Sequence, residues 1–413
     1  MESVPALVST VVGLKPKLLG DERESLAGKV NDSVAPSAAV AISDHLSREV
    51  YCILGLAIDA IEMPAVLRKI EMAAANPAQP FVISTPNLNF LVNSRDDPEF
   101  RESILLSDLC PTDGMPIVWI ARLIGIPIKN RIAGSDIFEA LKARPLSDQP
   151  LKVFLFGAAE SVAAAAASTL NEKRNGLSCV GWIAPGFGTI DELSEDRFID
   201  KINSSNADFL VAALGAKKGQ SWLQRNYHRL RVPIRAHLGA TINFQAGKVR
   251  RAPYVLQKLG LEWLWRVKEE PYLWARYWHD GGVLLGLMLT RILPLAVRAH
   301  SLRRQCRGNG HDLVIEQVLN GDVITLGFSG YAVASHVEKA ISRFREAVTT
   351  RKLIVIDFSN THAVDARFLG LLLMVREQLK VRGGELKVSG MSRRVEKMFR
   401  LNGLEYLLPC DKN

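Results

Sequence analysis

Between residues 50 and 238 the sequence alternates short apolar runs with longer stretches of helical periodicity, and this alternation is its strongest constraint on a fold. The apolar runs have the length of buried strands, whereas the longer stretches place apolar residues on one face of a helix. Such repetition predicts a mostly parallel sheet that is covered by helices on both faces. The expected strands are 50–56, 81–85, a short one before 112, 152–157, 178–182, 209–214 and 234–238, and the expected helices are 63–75, 98–106, 161–173 and 220–230.

A second, smaller α/β unit is predicted at residues 311–413. Its expected elements are a hairpin at 313–317 and 323–328, strands at 353–358 and 385–389, and helices at 336–348, 367–380 and 393–402. The other boundaries are compositional: a flexible leader at 1–48, a core at 49–247, a Trp- and Arg-rich appendage at 248–297 and an Arg-rich linker at 298–310. The leader lacks the basic and apolar regions of a signal peptide.

The composition is that of a globular protein. A chain of 413 residues with 48% hydrophobic and 23% charged residues is expected to form two or three domains. The five cysteines are widely spaced and form no C-x-x-C pair, which argues against a zinc site and a disulfide framework and favours a reducing cytoplasm. They are Cys52, Cys110, Cys179, Cys306 and Cys410.

Basic charge is concentrated in one aromatic segment. Residues 248–310 contain twelve Lys and Arg but four Asp and Glu, so they carry +8 of the net charge of +9. They also hold four of the seven Trp, namely Trp263, Trp265, Trp274 and Trp278. This pattern predicts binding to an anionic membrane surface, with a core role for the Trp side chains as the alternative. The Trp and Leu content argues against nucleic-acid binding, and the apolar run 282–290 is too short to cross a bilayer alone.

Four motifs are expected where apolar runs end. They are Thr85-Pro-Asn-Leu-Asn-Phe90, Thr112-Asp-Gly114, Arg131-Ile-Ala-Gly-Ser-Asp-Ile-Phe138 and Gly239-Ala-Thr-Ile-Asn-Phe-Gln-Ala-Gly-Lys-Val-Arg-Arg-Ala252. Ligands of open α/β sheets bind outside the carboxyl ends of the strands. The motifs therefore predict a ligand site at one edge of the sheet.

Two motif residues have alternative interpretations. Asp113 can act as a general base if partial burial raises its pKa towards neutrality. Alternatively, it forms an Asx turn or caps a helix at 115–123. Arg131 can bind a diphosphate or carboxylate through its planar guanidinium, or it can be a solvated surface residue. Their positions in the sequence leave both questions open.

Two glycine-containing turns are candidate phosphate sites. Gly157-Ala-Ala and Gly215-Ala-Lys-Lys-Gly-Gln each follow an apolar strand and precede a helix. Their backbone N–H groups can approach a phosphate, while Lys217 and Lys218 supply charge. Plain strand-to-helix turns are the alternative. Because no Asp-x-Asp pair stands at a strand end, the sequence predicts neither a metal ion nor another cofactor.

Together the motifs resemble those of the WecG/TagA/CpsF family of glycosyltransferases over residues 50–279. The closing motifs Ala246-Gly-Lys-Val-Arg-Arg-Ala-Pro253, Leu259-Gly-Leu-Glu-Trp-Leu-Trp-Arg266 and Glu270-Pro271 agree in order and spacing. The resemblance implies a Rossmann-like domain that transfers a sugar with inversion. It also implies a nucleotide-sugar donor, commonly a UDP-N-acetylhexosamine, and a polyprenyl-diphosphate-linked acceptor at the cytoplasmic face of the membrane.

The resemblance also implies residue roles. Asp113 would be the catalytic base, and the appendage after Lys248 would close over the active site. Arginines of this region would bind the acceptor diphosphate: Arg250, Arg251, Arg266 and Arg276. With the turn residues above, the predicted substrate-binding set is Thr85, Asn87, Arg131, Asp136, Gly157, Gly215, Lys218, Gln220 and Asn243.

Three positions depart from the family pattern, one of them being Leu273 or a neighbour, where a basic residue often follows the Glu-Pro pair. Gly219 stands where the family places a functional Gln, and the adjacent Gln220 can replace it only if the turn shifts. Asn243 stands where an Asp is common, which removes a charge that would contact the donor. These departures affect the identity of the donor more than the class of reaction.

The C-terminal unit resembles a STAS domain. The resemblance rests on Leu353-Ile-Val-Ile-Asp-Phe-Ser359, His362-Ala-Val-Asp-Ala-Arg-Phe-Leu-Gly370 and Gly384-Glu-Leu-Lys-Val-Ser-Gly390. Regulatory members carry a phosphorylatable hydroxyl after the Asp, whereas Asp365 is followed here by Ala366 and Arg367. This implies a constitutive docking or nucleotide-sensing role without a phosphoswitch. In the docking role, Arg367 is available to recognise an acidic side chain of another protein. Ser359 and Thr361 are interpreted as turn residues.

The sequence therefore predicts an inverting glycosyltransferase of bacterial cell-surface or exopolysaccharide synthesis, peripheral on the inner face of the cytoplasmic membrane. Its expected partners are a UDP-sugar, a polyprenyl-diphosphate-linked acceptor, the membrane surface, a protein bound by the STAS unit and a second copy of the chain. The alternative is a non-catalytic scaffold that binds a nucleotide sugar and signals through the STAS unit. Gly219 and Asn243 favour the scaffold, whereas Asp113 and Arg131 oppose it.

Overall fold

The computed structural model describes residues 44–144, 150–172, 176–258, 260–306, 312–350 and 353–409. The predicted leader lies outside the described residues up to residue 43. Its last residues are packed: Asp44 caps a short helical turn at His45–Ser47, and Leu46 and Arg48 are buried. The assignment of residues 44–48 to a flexible leader was therefore wrong. Four cysteines are free, and Cys410 lies outside the described residues.

The first apolar run forms an antiparallel hairpin, not the single strand expected at residues 50–56. Its strands are β1 (Val50–Ile53) and β2 (Leu56–Asp59), which pair with each other. Leu54 and Gly55 connect them with φ angles of 51° and 92°. Two successive left-handed residues are typical of a two-residue hairpin turn. The chain therefore reverses within the apolar run.

A five-stranded sheet forms the centre of the first α/β unit in the described residues, and all of its pairings are parallel, as predicted. Its strands are β3 (Phe81–Ile83), β4 (Leu151–Gly157), β5 (Leu177–Ile183), β6 (Phe209–Ala213) and β7 (Ile234–His237). They lie in the order β3-β7-β6-β4-β5. Val153 and Leu155 enter one hydrophobic core, while Phe154 and Phe156 enter another. The sheet is therefore covered on both faces.

Helices connect these strands. They are α1 (Met63–Ala75), α2 (Leu88–Asp96), α3 (Pro98–Leu105), α4 (Met115–Ile124), α5 (Gly134–Lys142), α6 (Glu160–Glu172), α7 (Asp196–Ser204), α8 (Ala216–Arg225) and α9 (Gly239–Gln245). The strand expected before Thr112 is reduced to one bridge between Ile83 and Leu109. The motifs at Thr112 and Arg131 therefore follow loops, whereas those at Thr85 and Gly239 follow β3 and β7 as expected.

The appendage is helical. Its helices are α10 (Tyr254–Lys258), α11 (Glu262–Glu269), α12 (Trp274–Leu287) and α13 (Leu293–Gln305). A wider π-helical turn at Met288–Ile292 joins α12 to α13, so one helix of 35 residues extends over Pro271–Gln305. The predicted linker at 298–310 is therefore helical as far as Gln305, and residues 307–310 lie outside the described residues.

The C-terminal unit contains a mixed sheet, in agreement with the predicted α/β fold. Its strands are β8 (Leu313–Asn320), β9 (Val323–Ala332), β10 (Leu353–Val364) and β11 (Glu385–Ser389), in the order β11-β10-β9-β8. Its helices are α14 (Val337–Thr350), α15 (Ala366–Val381) and α16 (Arg393–Leu401). The β8–β9 pairing is antiparallel and the other two pairings are parallel. Phe328 and Phe358 of the central strands are buried together against Phe368 of α15.

One hydrophobic core crosses the boundary between the two units. Ile53 and Leu56 of the hairpin belong to the same buried cluster as Leu369 and Leu373 of α15. The hairpin therefore packs against the C-terminal unit although it precedes the parallel sheet in the sequence.

Candidate active site

Asp113 lies in a loop between the bridge residue Leu109 and the start of α4. The Asp113 backbone N–H donates to the Pro86 carbonyl oxygen at 3.0 Å, and the Ile132 N–H donates to the Thr112 carbonyl oxygen at 2.7 Å. The loop is thus fixed between two other motifs. Among the described residues no side chain caps the amino end of α4, whose N-cap is Gly114. The alternative that Asp113 serves as a helix cap is therefore wrong.

Burial raises the pKa of the Asp113 carboxyl to about 7, although the guanidinium of Arg131 acts to lower it. Glu262 also raises this pKa, whereas Arg266 and Arg251 lower it. A carboxyl group with a pKa near neutrality is well matched to general-base catalysis, because it is ionised in part at neutral pH and still accepts a proton readily.

Arg131 is held by two carboxylates close to Asp113. One guanidinium nitrogen donates to Glu262 of α11, and another donates to Asp136 Oδ2 at 3.1 Å. Asp136 also accepts a hydrogen bond from Arg251. The Arg131 side chain is 15% exposed, so it is not the solvated surface residue of the alternative interpretation. The appendage therefore contributes Arg251 and Glu262 to the surroundings of Asp113.

The four arginines predicted for the acceptor diphosphate divide into two groups. Arg251 and Arg266 are partly buried and influence the pKa of Asp113. Arg266 also donates to Glu270 at 3.1 Å. Arg250 and Arg276 are exposed, and the Arg276 guanidinium lies 5.1 Å from the centre of the Tyr277 ring. The structure therefore brings Arg251 and Arg266 to the Asp113 site and leaves the other two on the surface.

The two glycine-containing turns lie at the carboxyl ends of β4 and β6. Gly157 has a φ of 110°, and a Cβ atom there would lie 2.5 Å from the Ala213 carbonyl oxygen. Gly215 is the N-cap of α8 with a φ of 85°, a conformation that favours glycine. Lys218 Nζ donates to the Gly188 carbonyl oxygen at 2.8 Å. Backbone conformation thus accounts for both glycines, with close packing as a second cause at Gly157 alone, and a role in phosphate binding stays a prediction.

The remaining predicted substrate-binding residues differ in their environments. Thr85 is buried after β3, and Asn87 caps α2 through a hydrogen bond from the Phe90 N–H at 3.2 Å. Gln220 is also buried, and its Nε2 donates to Ser84 Oγ at 2.6 Å. Asn243 is half-buried on α9. Gln220 therefore contacts the residue that follows β3, and its role in substrate binding stays a prediction.

His237, the last residue of β7, was missed by sequence reasoning. A Cβ atom at residue 219 would lie 2.1 Å from His237 Cδ2, so the imidazole occupies the space that a side chain at 219 would need. Both ring nitrogens are buried without a hydrogen-bond partner among the described residues. Burial lowers the pKa of His237 to about 4, so the ring is neutral at pH 7. The departure at Gly219 thus has a steric cause, and its only sequence signal is a histidine that ends an apolar strand.

The long helix Pro271–Gln305 contacts the folded body on one side and is exposed on the other. By length and composition it is the one helix in the described residues that could cross a membrane. Of its most apolar stretch of 18 residues, 17% are buried. Its exposed apolar residues are Trp274, Trp278, Leu285, Leu289, Leu293 and Val297. Its polar contacts with the body include Asp280 with Asn89, Arg291 with the Arg400 carbonyl and with Glu405, and Arg303 with the Ile124 carbonyl. Trp263 is exposed as well, so a core role for Trp263 and Trp274 is excluded. Trp265, the third Trp of the core alternative, is half-buried and donates to the Arg250 carbonyl oxygen.

An α/β domain with a carboxyl group of pKa about 7 among arginines at one edge of its sheet has a general base and positive charge for a leaving phosphate, as an enzyme that transfers a group from a phosphate-linked substrate requires. Residues 51–297 match the sequence model of the glycosyl transferase WecG/TagA/CpsF family, and the chain belongs to this family. It is therefore a glycosyltransferase. Residues 315–409 match the sequence model described as Mlab, STAS domain, so the predicted fusion is confirmed.

Individual relatives agree with the family assignment. The chain is 29% identical over 197 residues to the N-acetylglucosaminyldiphosphoundecaprenol N-acetyl-beta-D-mannosaminyltransferase of Bacillus spizizenii, covering 47% of this chain and 73% of the relative. It is 26% identical over 216 residues to the protein of the same name from Staphylococcus aureus, covering 52% and 82%. The phosphorylated form of the Bacillus cell fate determinant SpoIIAA matches 24% of this chain and 89% of its own at 18% identity, with a TM-score of 0.21. That last likeness is too low to carry an argument.

Proposed function

We propose that this chain transfers an N-acetylhexosaminyl group from a UDP-sugar to a polyprenyl-diphosphate-linked acceptor, with inversion at the anomeric carbon. The observation that carries the proposal is the position of Asp113 among Arg131, Arg251 and Arg266. Burial raises the pKa of the Asp113 carboxyl to about 7. The names of the two relatives, N-acetylglucosaminyldiphosphoundecaprenol N-acetyl-beta-D-mannosaminyltransferases, support the same classes of sugar and acceptor.

Asp113 serves as the general base in this reaction. Its carboxylate takes the proton from the acceptor hydroxyl while the hydroxyl oxygen forms a bond to the anomeric carbon of the donor. The bond between that carbon and the diphosphate oxygen breaks, and the nucleoside diphosphate leaves with the electron pair. Attack on the face opposite the leaving group inverts the configuration.

Arginines balance the charge that develops on the diphosphate. Arg131 and Arg251 are paired with Asp136, and Arg131 also with Glu262. Because guanidinium groups bind carboxylate and phosphate oxygens in the same planar geometry, a diphosphate can replace these carboxylates without moving the arginines far. Arg266 adds a third cation. The residues of the site thus supply a base and a preorganised positive surface.

The long helix Pro271–Gln305 places the enzyme on the membrane surface. A helix of this length is about 50 Å long, enough to span a bilayer. However, it contacts the folded body near both ends, through Asp280 and Arg303, so it lies along the protein instead of leaving it. Its exposed Trp274 and Trp278 suit the boundary between headgroups and acyl chains. The acceptor lipid then reaches the site from the inner leaflet of the cytoplasmic membrane.

The decisive experiment compares Asp113→Asn with the wild type in the transfer of sugar from a panel of UDP-sugars to a polyprenyl-diphosphate-linked N-acetylglucosamine. Turnover should fall by about 10²- to 10⁴-fold, the usual contribution of a general base, while the Kd for the donor changes little. Asp191→Asn is the matched control, because the Asp191 side chain is 81% exposed and lies outside the site.

Near-normal turnover of Asp113→Asn would show that another group is the base. Donor binding without any turnover by the wild-type protein would favour the scaffold alternative.

A further inference from the structure

The amino-terminal part of α15 is bound to the hairpin β1–β2. Arg367 Nη1 donates to the Val50 carbonyl oxygen at 3.1 Å, and its Nη2 donates to the Arg48 carbonyl oxygen at 3.3 Å. Arg367 is 8% exposed. The expectation that it recognises an acidic side chain of another protein was therefore wrong, because its donors are used within the chain.

Close packing accompanies these hydrogen bonds. A Cβ atom at Gly370, one turn further along α15, would lie 2.3 Å from the Val50 carbonyl oxygen. Glycine at this position therefore lets the helix approach the backbone of β1. Asp365 caps the same helix end by accepting hydrogen bonds from the N–H groups of Phe368 and Ala334. The end of α15 is thus rigid where it meets the hairpin.

The hairpin in turn holds the segment that carries the catalytic base. Arg48 and Asp59 form a buried bidentate ion pair, with distances of 2.7 and 3.1 Å. Asp59 Oδ2 accepts a hydrogen bond from the Cys110 N–H at 2.6 Å, and the Asp59 N–H donates to the Cys110 carbonyl oxygen at 3.0 Å. Cys110 precedes Asp113 by three residues in the sequence. A continuous set of hydrogen bonds therefore connects α15 with the base loop.

We propose that the STAS domain is a positioning element of the transferase, which acts through Arg367, the Arg48–Asp59 pair and Cys110 to hold the loop of Asp113. This inference rests on the proposed function in that Asp113 is the base. Arg367, Arg48 and Asp59 are positioning residues, since the structure gives each of them contacts with the protein and not with a reacting group. The chain is then one catalytic unit from the hairpin to α15.

The proposal has a kinetic signature that general destabilisation lacks. If the contacts of Arg367 and of the Arg48–Asp59 pair are loosened, the half-buried Asp113 carboxyl becomes more exposed to water, and its pKa falls from about 7 towards the ordinary value for aspartate because burial is its main cause. The neighbouring charges of Arg131, Arg251, Arg266 and Glu262 are unchanged by a substitution in α15. The acidic limb of the pH profile of kcat/KM, which reports the base in the free enzyme, should therefore move to lower pH while kcat falls.

The test uses the full chain with Arg367→Ala, Arg367→Lys and the control Arg382→Ala, which removes an exposed arginine just after α15. For Arg367→Ala we expect kcat to fall about 10-fold or more, because small misplacements of a reacting group are costly. We also expect the acidic limb to move down by roughly half a pH unit or more. The KM for the donor should change little, and Arg367→Lys should recover part of the activity because it keeps a cationic donor.

Amide hydrogen exchange at Cys110 and Asp113, whose N–H groups donate to Asp59 Oδ2 and to the Pro86 carbonyl oxygen, provides a second readout that does not depend on which group is the base. Exchange there should be faster in Arg367→Lys than in Arg382→Ala, and this comparison remains valid if Arg367→Ala does not fold. Unchanged exchange in Arg367→Lys, or an unchanged kcat and pH profile in folded Arg367→Ala, would overturn the proposal. Retained activity of Asp113→Asn would instead contradict only the assignment of the base.

Discussion

Substitutions at Gly219 and His237 should have coupled effects on the free energy of unfolding. Gly219→Ala should destabilise the protein when His237 is present and stabilise it when His237 is absent. A Cβ atom at residue 219 would lie 2.1 Å from His237 Cδ2, whereas ordinary contacts begin at 3.4 Å. The ring or the helix must therefore move by more than about 1 Å, and overpacking of this kind costs about 1–3 kcal/mol. Alanine is favoured over glycine inside a helix by about 1 kcal/mol, so Gly219→Ala should lower the free energy of unfolding by up to about 2 kcal/mol.

The same substitution should stabilise the protein when His237 is absent. In His237→Ala the obstructing ring is gone, so Gly219→Ala retains its helix-propensity gain of about 0.5–1 kcal/mol. The coupling energy of the double-mutant cycle is then about 1–3 kcal/mol. Urea unfolding of the four proteins, followed by far-UV circular dichroism and compared at equal m-values, measures this energy.

Equal effects of Gly219→Ala in the two backgrounds, within about 0.5 kcal/mol, would refute the steric explanation for glycine at this position. Gly281→Ala is the matched control for changing a helical glycine, because Gly281 is exposed on α12 and a Cβ atom there meets no neighbouring atom within 4 Å. It should show no coupling with His237→Ala.

Two further predictions concern the base and the membrane. Arg131 lowers the pKa of Asp113, so Arg131→Ala should raise that pKa above about 7 and move the acidic limb of kcat/KM to higher pH, opposite to the effect of Arg367→Ala. Combined replacement of Trp274, Trp278 and Leu285 by Ser should lower the partition coefficient onto anionic phospholipid vesicles by about 10-fold or more, as measured by flotation.

Each of these predictions has a clear contrary result. A shift of the acidic limb to lower pH in Arg131→Ala would mean that Arg131 does not act on the charged form of the base. For the vesicle assay the control is Phe187→Ser, because Phe187 is a fully exposed aromatic residue outside the appendage. Equal losses from the control and from the helix variant would remove the helix from the membrane interface.

Local patterns in the sequence predict the elements well where one hydrophobic period persists over the whole helix or strand. The helix at 63–75 coincides with α1, and the last strand at 385–389 coincides with β11. The prediction of a single strand at 50–56 was wrong because the run is apolar throughout and gives no sign of the turn at Leu54 and Gly55. The left-handed φ angles of these two residues are a property of the backbone. The predicted linker at 298–310 is helical as far as Gln305, because an Arg-rich composition is compatible with the last turns of a helix as well as with a loop.

The site is only partly predictable for a different reason. Asp113 and Arg131 were selected from motifs, and the structure brings them together because both motifs meet at the end of β3. His237 and Gly219 are 18 positions apart, and their contact depends on how α8 packs against β7. The hydrogen bond from Arg367 to the Val50 carbonyl joins residues 317 positions apart. The hydrophobic periodicity within a single helix or strand contains no information about contacts between residues so far apart in the sequence.

The contact between α15 and the hairpin sets the affinity that an external regulator needs in order to bind α15. Because both surfaces belong to one chain, they meet at an effective concentration of about 1 mM. If the free surfaces had a Kd of about 1 μM, the closed form would be favoured by about 10³, and a protein competing for α15 would bind the full chain about 10³-fold more weakly than the isolated STAS domain. A regulator of modest affinity must therefore use a surface that the hairpin leaves open, such as the strand β8, where Val314 and Val318 are exposed.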